Sequence, residues 1–197
     1  MKFELIVITS PDPIANETEW IEKLFAKGLE KLHIRKPDLT KNELRNYISL
    51  IPKKHQSKIV IHSHYSLAAE FNLGGIHLTE KSRKKKLPAA YNKKKHTLSA
   101  SFHSIDDIKR SRRKYDKVFL SPIFDSLSKK THKSPFNEKD LLEFLAEHKN
   151  VIALGGIDLL TVRKVQQMKF CGAAMLGYIW EARDTAKAFT NLRSKIK

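Results

Sequence analysis

VIALGGIDLLTVRKVQQMKFCGAAMLGYI, residues 151–179, contains two short apolar segments, each followed directly by glycine. The segments at 151–154 and 173–176 are continuous apolar runs, which are typical of strands in a parallel sheet covered on both faces. Residues 159–168 between them carry apolar side chains at helical spacing. The stretch therefore predicts a strand, a helix and a second strand, the repeating unit of parallel α/β folds.

Similar units extend back to the N-terminus and on to the C-terminus. Apolar segments predict six further strands at 3–9, 31–35, 58–62, 75–78, 97–101 and 117–121. Amphipathic segments predict the other helices at about 16–27, 41–51, 65–71, 105–113, 138–147 and 182–195. Thr40 with Glu43 predicts a capping box for the second helix, and Ser104 is expected to cap the helix over 105–113.

Eight alternations of strand and helix give the strand number that closes a (β/α)₈ barrel. We therefore expect the fold class α/β, as a single TIM-barrel domain over residues 1–197. The same pattern also allows an open, doubly wound sheet. In a barrel, functional side chains collect at the carboxyl ends of the strands.

The composition is that of a globular protein with a large positive charge. The 197 residues are 41% apolar, and 38 Lys and Arg against 21 Asp and Glu give a formal charge of +17. No apolar run approaches the ~20 residues that span a bilayer. Glu4 and Pro11 break the N-terminal apolar segment, so it predicts a strand rather than a signal peptide. The single cysteine, Cys171, excludes an internal disulfide, and we expect a cytoplasmic protein.

The charge alone allows two classes of partner. Basic runs at 83–86, 93–95 and 110–114 would suit nucleic acid, because Lys and Arg neutralise phosphates. No aromatic side chains alternate with these runs, which favours an anionic metabolite over nucleic acid. A non-catalytic barrel that binds phosphate or nucleic acid is kept as an alternative.

Polar side chains at the predicted strand ends are candidate site residues. His33 and Arg35 alternate along the second strand, so both are expected to face the mouth of the barrel. The Arg fork suits phosphate or carboxylate. His103 lies just before the helix start at Ser104, where the helix dipole favours a neutral imidazole that acts as a base.

Three further histidines have a spacing that would suit zinc. His62 and His64 end the third strand, and His77 lies in the fourth. Glu80 is the only acidic residue nearby and no cysteine accompanies them, so we expect polar residues of the mouth rather than a metal site.

Glycines after the last two strands predict a phosphate site. Gly155 and Gly156 follow the strand at 151–154, and Gly177 follows the strand at 173–176. Glycine allows close approach of the backbone, and helix N-termini direct N–H groups at an anion. The loop at 121–133, rich in hydroxyl and lysine side chains, is expected to close over that anion.

Five motifs in order along the chain match one family. They are LHIRKPD (32–38), LAAEFNLGGIHL (67–78), SASFHS (99–104), VFLSPIFDSLSKK (118–130) and VIALGGI (151–157). In these motifs the chain resembles thiamin phosphate synthase and its sister branch, the thiazole tautomerases. The resemblance implies a barrel enzyme of thiamin biosynthesis. The synthase joins hydroxymethylpyrimidine diphosphate to thiazole phosphate, with Mg²⁺ on the departing pyrophosphate; the tautomerase makes thiazole carboxylate phosphate aromatic by proton transfer, without metal.

The resemblance also implies roles for individual residues. Arg35 and Lys129 fall on the family's diphosphate-binding arginine and lysine, and Ser126 and Ser128 replace threonines of the closing loop. The implied backbone contacts to the thiazole phosphate are Gly156 and Gly177.

The metal-binding positions depart from the family pattern. Both aspartates that hold Mg²⁺ in the synthase branch are serine here, at Ser63 and Ser82. Serine is a far poorer Mg²⁺ ligand than aspartate. The sequence offers Glu80 as a replacement ligand, or Lys36 or the lysines of the loop at 121–133 as a replacement for the charge of the metal.

Further departures favour the tautomerase branch. Pro37 replaces a diphosphate-binding lysine, and His62 replaces an asparagine that contacts the pyrimidine. His103 matches the base of a Ser-x-His-Ser motif in the tautomerases, and His33 matches their His-Ile-Arg pattern. We therefore predict tautomerase-like proton transfer on a phosphorylated thiazole, with no cofactor. The alternative is a synthase that uses Mg²⁺ and a pyrimidine diphosphate, and either enzyme would be compatible with a homo-oligomer.

Overall fold

The computed structural model describes residues 2–125 and 135–196. Eight parallel strands close into a barrel in chain order. They are β1 (Glu4–Ile8), β2 (Lys31–Ile34), β3 (Ile59–Ile61), β4 (Gly75–Leu78), β5 (Thr97–Phe102), β6 (Lys117–Leu120), β7 (Val151–Leu154) and β8 (Gly172–Met175). Glu4 of β1 pairs with Gly172 of β8, which confirms the predicted barrel and excludes the open sheet.

Helices cover the outside of the barrel. They are α1 (Glu17–Ala26), α2 (Lys41–Ser49), α3 (Lys53–Gln56), α4 (Ser66–Glu70), α5 (Glu80–Arg83), α6 (Ile105–Arg110), α7 (Glu138–Glu147), α8 (Val162–Gln167), α9 (Gly177–Trp180) and α10 (Thr185–Lys195). The capping box at α2 is confirmed, because Thr40 Oγ1 accepts the N–H of Glu43 and Glu43 Oε2 accepts the N–H of Thr40. Ser104 caps α6 by accepting the N–H of Asp107 at 3.2 Å.

Two predicted helices near the C-terminus begin later than the sequence pattern indicates. The helix expected from residue 159 begins at Val162, because Asp158 Oδ1 accepts the N–H groups of Leu160 and Thr161 and forms a turn first. The helix expected over 182–195 begins at Thr185, where Asp184 provides the cap, and the short α9 precedes it. Local side-chain bonds thus override the apolar periodicity at both places.

Two other differences lie on the opposite side of the barrel. The helix expected over 105–113 ends at Arg110, and Ser111 is extended. Arg113 instead donates to the carbonyls of Arg83 and Lys85 at 3.0 and 2.9 Å. The sequence pattern also missed α3, which begins after Pro52.

The apolar core has two parts. The larger part lies between the strands and the helices, and its most buried large side chains include Phe102 and Phe189. A smaller cluster inside the barrel consists of Ile6, Ile8, Phe119, Ile152, Cys171 and Ala174. In the described part of the chain, no helix has the length and apolar character needed to cross a membrane.

Candidate active site

Arg35 follows β2 at the mouth of the barrel, the end formed by the carboxyl ends of the strands, and is half-buried. Thr9, which follows β1 and is fully buried, contacts both the N–H and the carbonyl of Arg35. The N–H of Arg35 donates to Thr9 Oγ1 at 2.8 Å, and Thr9 Oγ1 donates to the Arg35 carbonyl at 3.3 Å. The guanidinium therefore starts from a fixed backbone position at the mouth.

Lys36 does not supply a free charge. Its Nζ lies 2.6 Å from Glu17 Oε2, in an ion pair whose side chains are 6% and 5% exposed. The same Nζ donates to the Asp12 carbonyl at 3.2 Å. Burial, with Glu17 nearby, raises the pKa of Tyr47, whose ring lies 5.5 Å from the Lys36 ammonium. The expectation that Lys36 replaces a metal charge is therefore wrong, because Glu17 already neutralises it.

His33, His62 and His77, termed here the imidazole cluster, meet inside the barrel. They lie on or directly after the neighbouring strands β2, β3 and β4, and are 3%, 9% and 0% exposed. His33 Nδ1 lies 3.1 Å from His62 Nε2. The rings of His62 and His77 are stacked, with centroids 4.2 Å apart. The edge of His33 meets His77 at a centroid distance of 5.4 Å.

The imidazole cluster is neutral at pH 7. Burial is the main cause that lowers the pKa of each ring, and it brings the pKa of His77 to about 3. The neighbouring imidazoles and the positive charge of Arg35 lower the pKa of His62 further. Each ring therefore presents one N–H donor and one lone pair.

Two serines of β5 complete the polar side of the barrel interior. Ser99 Oγ lies 2.9 Å from His77 Nδ1, and Ser101 Oγ lies 2.7 Å from His77 Nε2. A neutral imidazole donates at one nitrogen and accepts at the other, so one serine accepts while the other donates. His77 thereby fixes the hydroxyl of Ser101, two residues before His103.

His103 follows β5 and its side chain is exposed. Its Nδ1 lies 2.9 Å from the Ser121 carbonyl and 3.2 Å from Ser121 Oγ. Because a carbonyl only accepts, this contact assigns the proton to Nδ1 and leaves the lone pair on Nε2. The ring thus presents a proton acceptor, as a general base requires.

The glycines after β7 have conformations that side chains rarely adopt. Gly155 has φ +91° and Gly156 has φ +66°. A Cβ on Gly155 would lie 2.9 Å from Pro122 Cα, and one on Gly156 would lie 2.7 Å from Phe124 Cβ. Both glycines therefore pack against the segment that follows β6, close to Ser121. Within the described ranges, the N–H of Gly156 has no acceptor among protein atoms.

Gly177 is the first residue of α9, directly after β8. A Cβ there would meet only the end of the Glu181 side chain, at 3.0 Å, so its conformation does not require glycine. In the part of the chain described, the N–H groups of Gly177 and Tyr178 have no protein acceptor. Trp180 Nε1 donates to the Ile8 carbonyl at 2.7 Å and fixes α9 against β1.

The residues at the metal-binding positions do not fit Mg²⁺. Ser82 Oγ accepts from Tyr65 OH at 3.0 Å and lies 3.2 Å from the Thr79 carbonyl. Glu80 is 51% exposed and pairs with Lys84 at 3.5 Å. Mg²⁺ prefers carboxylate oxygens. Neither Ser63 nor Ser82 supplies one, and the pairing of Glu80 gives no support to its proposed role as a replacement ligand.

Residues 126–133 of the closing loop, which include Ser126, Ser128 and Lys129, lie outside the described residues. The roles predicted for these three stay predictions. The basic run at 83–86 is described in full; Lys84, Lys85 and Lys86 are exposed, whereas Arg83 has a structural role. The Arg83 side chain is 11% exposed, pairs with Asp107 at 3.0 Å and lies 4.2 Å over the Phe102 ring.

The sequence grouped the wrong three histidines. His64, expected with His62 and His77, has φ +47° and its Nε2 lies 2.9 Å from the Leu39 carbonyl. His33 takes its place. Strand register carried the missing signal, because His33 pairs with Val60 of β3 and His77 pairs with Ser99 of β5, which brings the inward-facing residues together.

Comparison with known proteins gives concordant results. The sequence profile of the family described as thiamine monophosphate synthase matches residues 5–179. Thiamine-phosphate synthase of Serratia proteamaculans is 24% identical over 191 residues, which cover 94% of this chain and 90% of the relative. A thiamine phosphate pyrophosphorylase structure from Bacteroides thetaiotaomicron is 31% identical with a TM-score of 0.84, covering 98% and 97% of the chains. A thiamine phosphate pyrophosphorylase structure from Pyrococcus furiosus has a TM-score of 0.79 at 18% identity, covering 98% of this chain and 95% of the other. At that identity the likeness concerns the fold alone.

Proposed function

The chain belongs to the thiamine monophosphate synthase family of thiamin biosynthesis, and on that premise we propose that it binds a phosphorylated thiazole and transfers a proton on it. The single observation that carries the reaction is the 2.9 Å contact of His103 Nδ1 with the Ser121 carbonyl, from which we assign the proton to Nδ1. Nε2 is then the base.

The phosphate is proposed to bind at the ends of β7 and β8. Gly156 and Gly177 present N–H groups that are without protein acceptors in the described ranges. Backbone N–H groups at such positions suit the oxygens of a phosphate. The contact of Gly155 with Pro122 keeps this loop beside the segment that follows Ser121, so the phosphate and the base belong to adjoining parts of the mouth.

Proton transfer is balanced without a further reactant. His103 Nε2 takes a proton from one carbon of the non-aromatic thiazole carboxylate, and a proton returns at another carbon of the same molecule. The product has the same composition and an aromatic ring. A positioned base of this kind typically contributes a factor of about 10² to 10⁴ in rate.

A second candidate function is thiamin phosphate synthesis. The names of the relatives support it better than they support proton transfer. Arg35, held by Thr9 at the mouth, also suits a diphosphate. The donor set at Ser63 and Ser82 weighs against it, because the synthase branch uses Mg²⁺ on the pyrophosphate. Release of pyrophosphate from the two substrates with Mg²⁺ distinguishes this function from the first.

The test of the first function uses His103→Gln beside His96→Gln as a matched control. His96 is also a histidine, but its Nδ1 accepts the N–H of Asn92 on the outer side of the barrel. We expect His103→Gln to lower the turnover of the thiazole tautomer about 10²- to 10⁴-fold with unchanged phosphate affinity. Turnover equal to that of His96→Gln would remove His103 from the reaction.

A further inference from the structure

The imidazole cluster is an unusual group for the inside of a barrel. Branched aliphatic side chains normally fill these layers. Here three imidazoles on adjacent strands bring one nitrogen each to within 4.8 Å of the others. From this geometry we infer that His33, His62 and His77 form a binding site for one divalent ion of the later first-row transition metals. Zn²⁺ is the ion used to test the site.

The spacing of the nitrogens is close to that of a zinc site. Zn–N bonds of 2.0 to 2.1 Å at tetrahedral angles place neighbouring nitrogens about 3.3 Å apart. His33 Nδ1 and His62 Nε2 already lie 3.1 Å apart. His77 completes the set by rotation of its ring, since the three nitrogens lie within 4.8 Å of one another.

The protonation state also suits a metal. Zinc binds the neutral imidazole, and burial keeps all three rings neutral at pH 7. The proton now shared between His33 and His62 moves to an outer nitrogen of its own ring, so binding needs a tautomer change and no net loss of a proton.

Ser99 and Ser101 would serve as outer partners of the site. Metal-bound histidine usually donates its second N–H to an oxygen, which fixes the ring and its tautomer. His77 has a serine hydroxyl at each nitrogen, at 2.9 and 2.7 Å. When one nitrogen turns to the metal, the other keeps a serine as acceptor.

The ligand chemistry selects the type of ion. All three donors are nitrogen, which suits Zn²⁺, Co²⁺ and Ni²⁺ and disfavours Mg²⁺ and Ca²⁺, since these prefer oxygen. Three protein ligands leave one position for water or a substrate atom. The site is thus distinct in residues and in metal from the serine positions that replace the Mg²⁺ ligands, and it does not depend on which reaction the enzyme performs.

The experiment measures metal binding directly on the untagged, chelator-treated full chain. Zn²⁺ is titrated calorimetrically, and Co²⁺ is followed by the visible absorption bands of its tetrahedral complexes. We expect one ion per chain. His33→Gln, His62→Gln and His77→Gln should each weaken binding by more than the about 10- to 100-fold loss that an outer partner causes, and Ser101→Ala by an amount within that range. His96→Gln, the matched buried-histidine control, should bind as the unchanged protein does.

Two results of the titrations would overturn the site: no stoichiometric binding by the unchanged protein, or binding that the three cluster variants leave intact. A third measurement covers variants that fail to fold. Zinc K-edge absorption of the unchanged protein counts imidazole ligands, and three are expected. A bound zinc with fewer than three imidazoles would also contradict the site.

Discussion

Two walls face each other inside the barrel and carry opposite chemistry. The wall formed by β6, β7, β8 and β1 is mainly apolar, with Phe119, Ile152, Ala174 and Ile6. An ion pair joins Glu4 and Lys117 where β1 and β6 begin. The wall formed by β2 to β5 is polar, with His33, His62, His77, Ser99 and Ser101. In both walls, every second residue of a strand points into the barrel. The apolar wall packs, whereas the polar wall must satisfy every donor and acceptor that it places inside the barrel.

The walls meet at Phe119. Its ring centroid lies 4.9 Å from that of His33 and 4.8 Å from that of His77. The apolar ring removes water from the imidazoles, and this desolvation is the main reason that their pKa values fall. The polar wall therefore depends on the apolar one.

The largest expected effect that separates the walls is in pH dependence. The folded-state pKa of each cluster histidine lies below the ordinary value of about 6.5. Below pH 6.5 the unfolded chain therefore binds protons that the folded chain does not. With a chelator present to remove metal ions, the free energy of unfolding should fall as the pH is lowered below about 6.5, by up to about 1.4 kcal/mol per pH unit for each histidine. The fall for each histidine ends at its folded-state pKa, which is about 3 for His77.

Urea unfolding of the unchanged protein and of His77→Gln between pH 7 and pH 5 measures this slope. The variant should lose the share of one histidine. Equal slopes would mean that His77 titrates alike in both states, contrary to its burial. Ile152→Val, on the apolar wall, should keep the full slope.

The second-largest effect is expected from removing the side chain of Phe119, where the two walls meet. Phe119→Ala takes a buried ring from the point where the walls meet, and we expect a loss of about 3 to 5 kcal/mol in the free energy of unfolding. Leu160→Ala is the control, since Leu160 is 85% exposed and should change little. Urea unfolding of both variants at pH 7 compares them, and a loss below 1 kcal/mol for Phe119→Ala, by the same principle, would contradict the role given to the ring.

Conversion of the polar wall to an apolar one should lower the free energy of unfolding by less than Phe119→Ala does. His77→Leu leaves the hydroxyls of Ser99 and Ser101 without the imidazole, and an unsatisfied buried group costs about 1 to 3 kcal/mol. Adding Ser99→Ala and Ser101→Ala should recover part of that loss. A triple variant no more stable than His77→Leu would show that hydrogen-bond satisfaction is not what the polar wall requires.

The smallest effect is expected on the apolar wall itself. Ile152→Val removes one buried methylene, for a loss of about 0.5 to 1.5 kcal/mol in urea unfolding. Turnover and Zn²⁺ affinity should not change, because the side chain contributes only packing. A change in either would give the apolar wall a part in the chemistry.

The sequence predicted the barrel because the period of strands and helices is a local property. The ends of helices were harder, since Asp158 and Asp184 form bonds that apolar spacing does not report. For the site, alternation correctly placed His33 inside, yet it could not pair His33 with His62, which depends on register between strands. Lys36 gives the sharpest contrast, because nothing local in the sequence shows that Glu17 lies 2.6 Å away.

The most direct test of the proposed function compares both reactions on the same purified protein. The purified chain is given the thiazole carboxylate tautomer in one sample, and hydroxymethylpyrimidine diphosphate with thiazole phosphate and Mg²⁺ in another. We predict conversion to the aromatic thiazole, lost in His103→Gln, and no pyrophosphate in the second sample. Release of pyrophosphate in step with thiamin phosphate, with the tautomer untouched, would contradict proton transfer and establish the synthase.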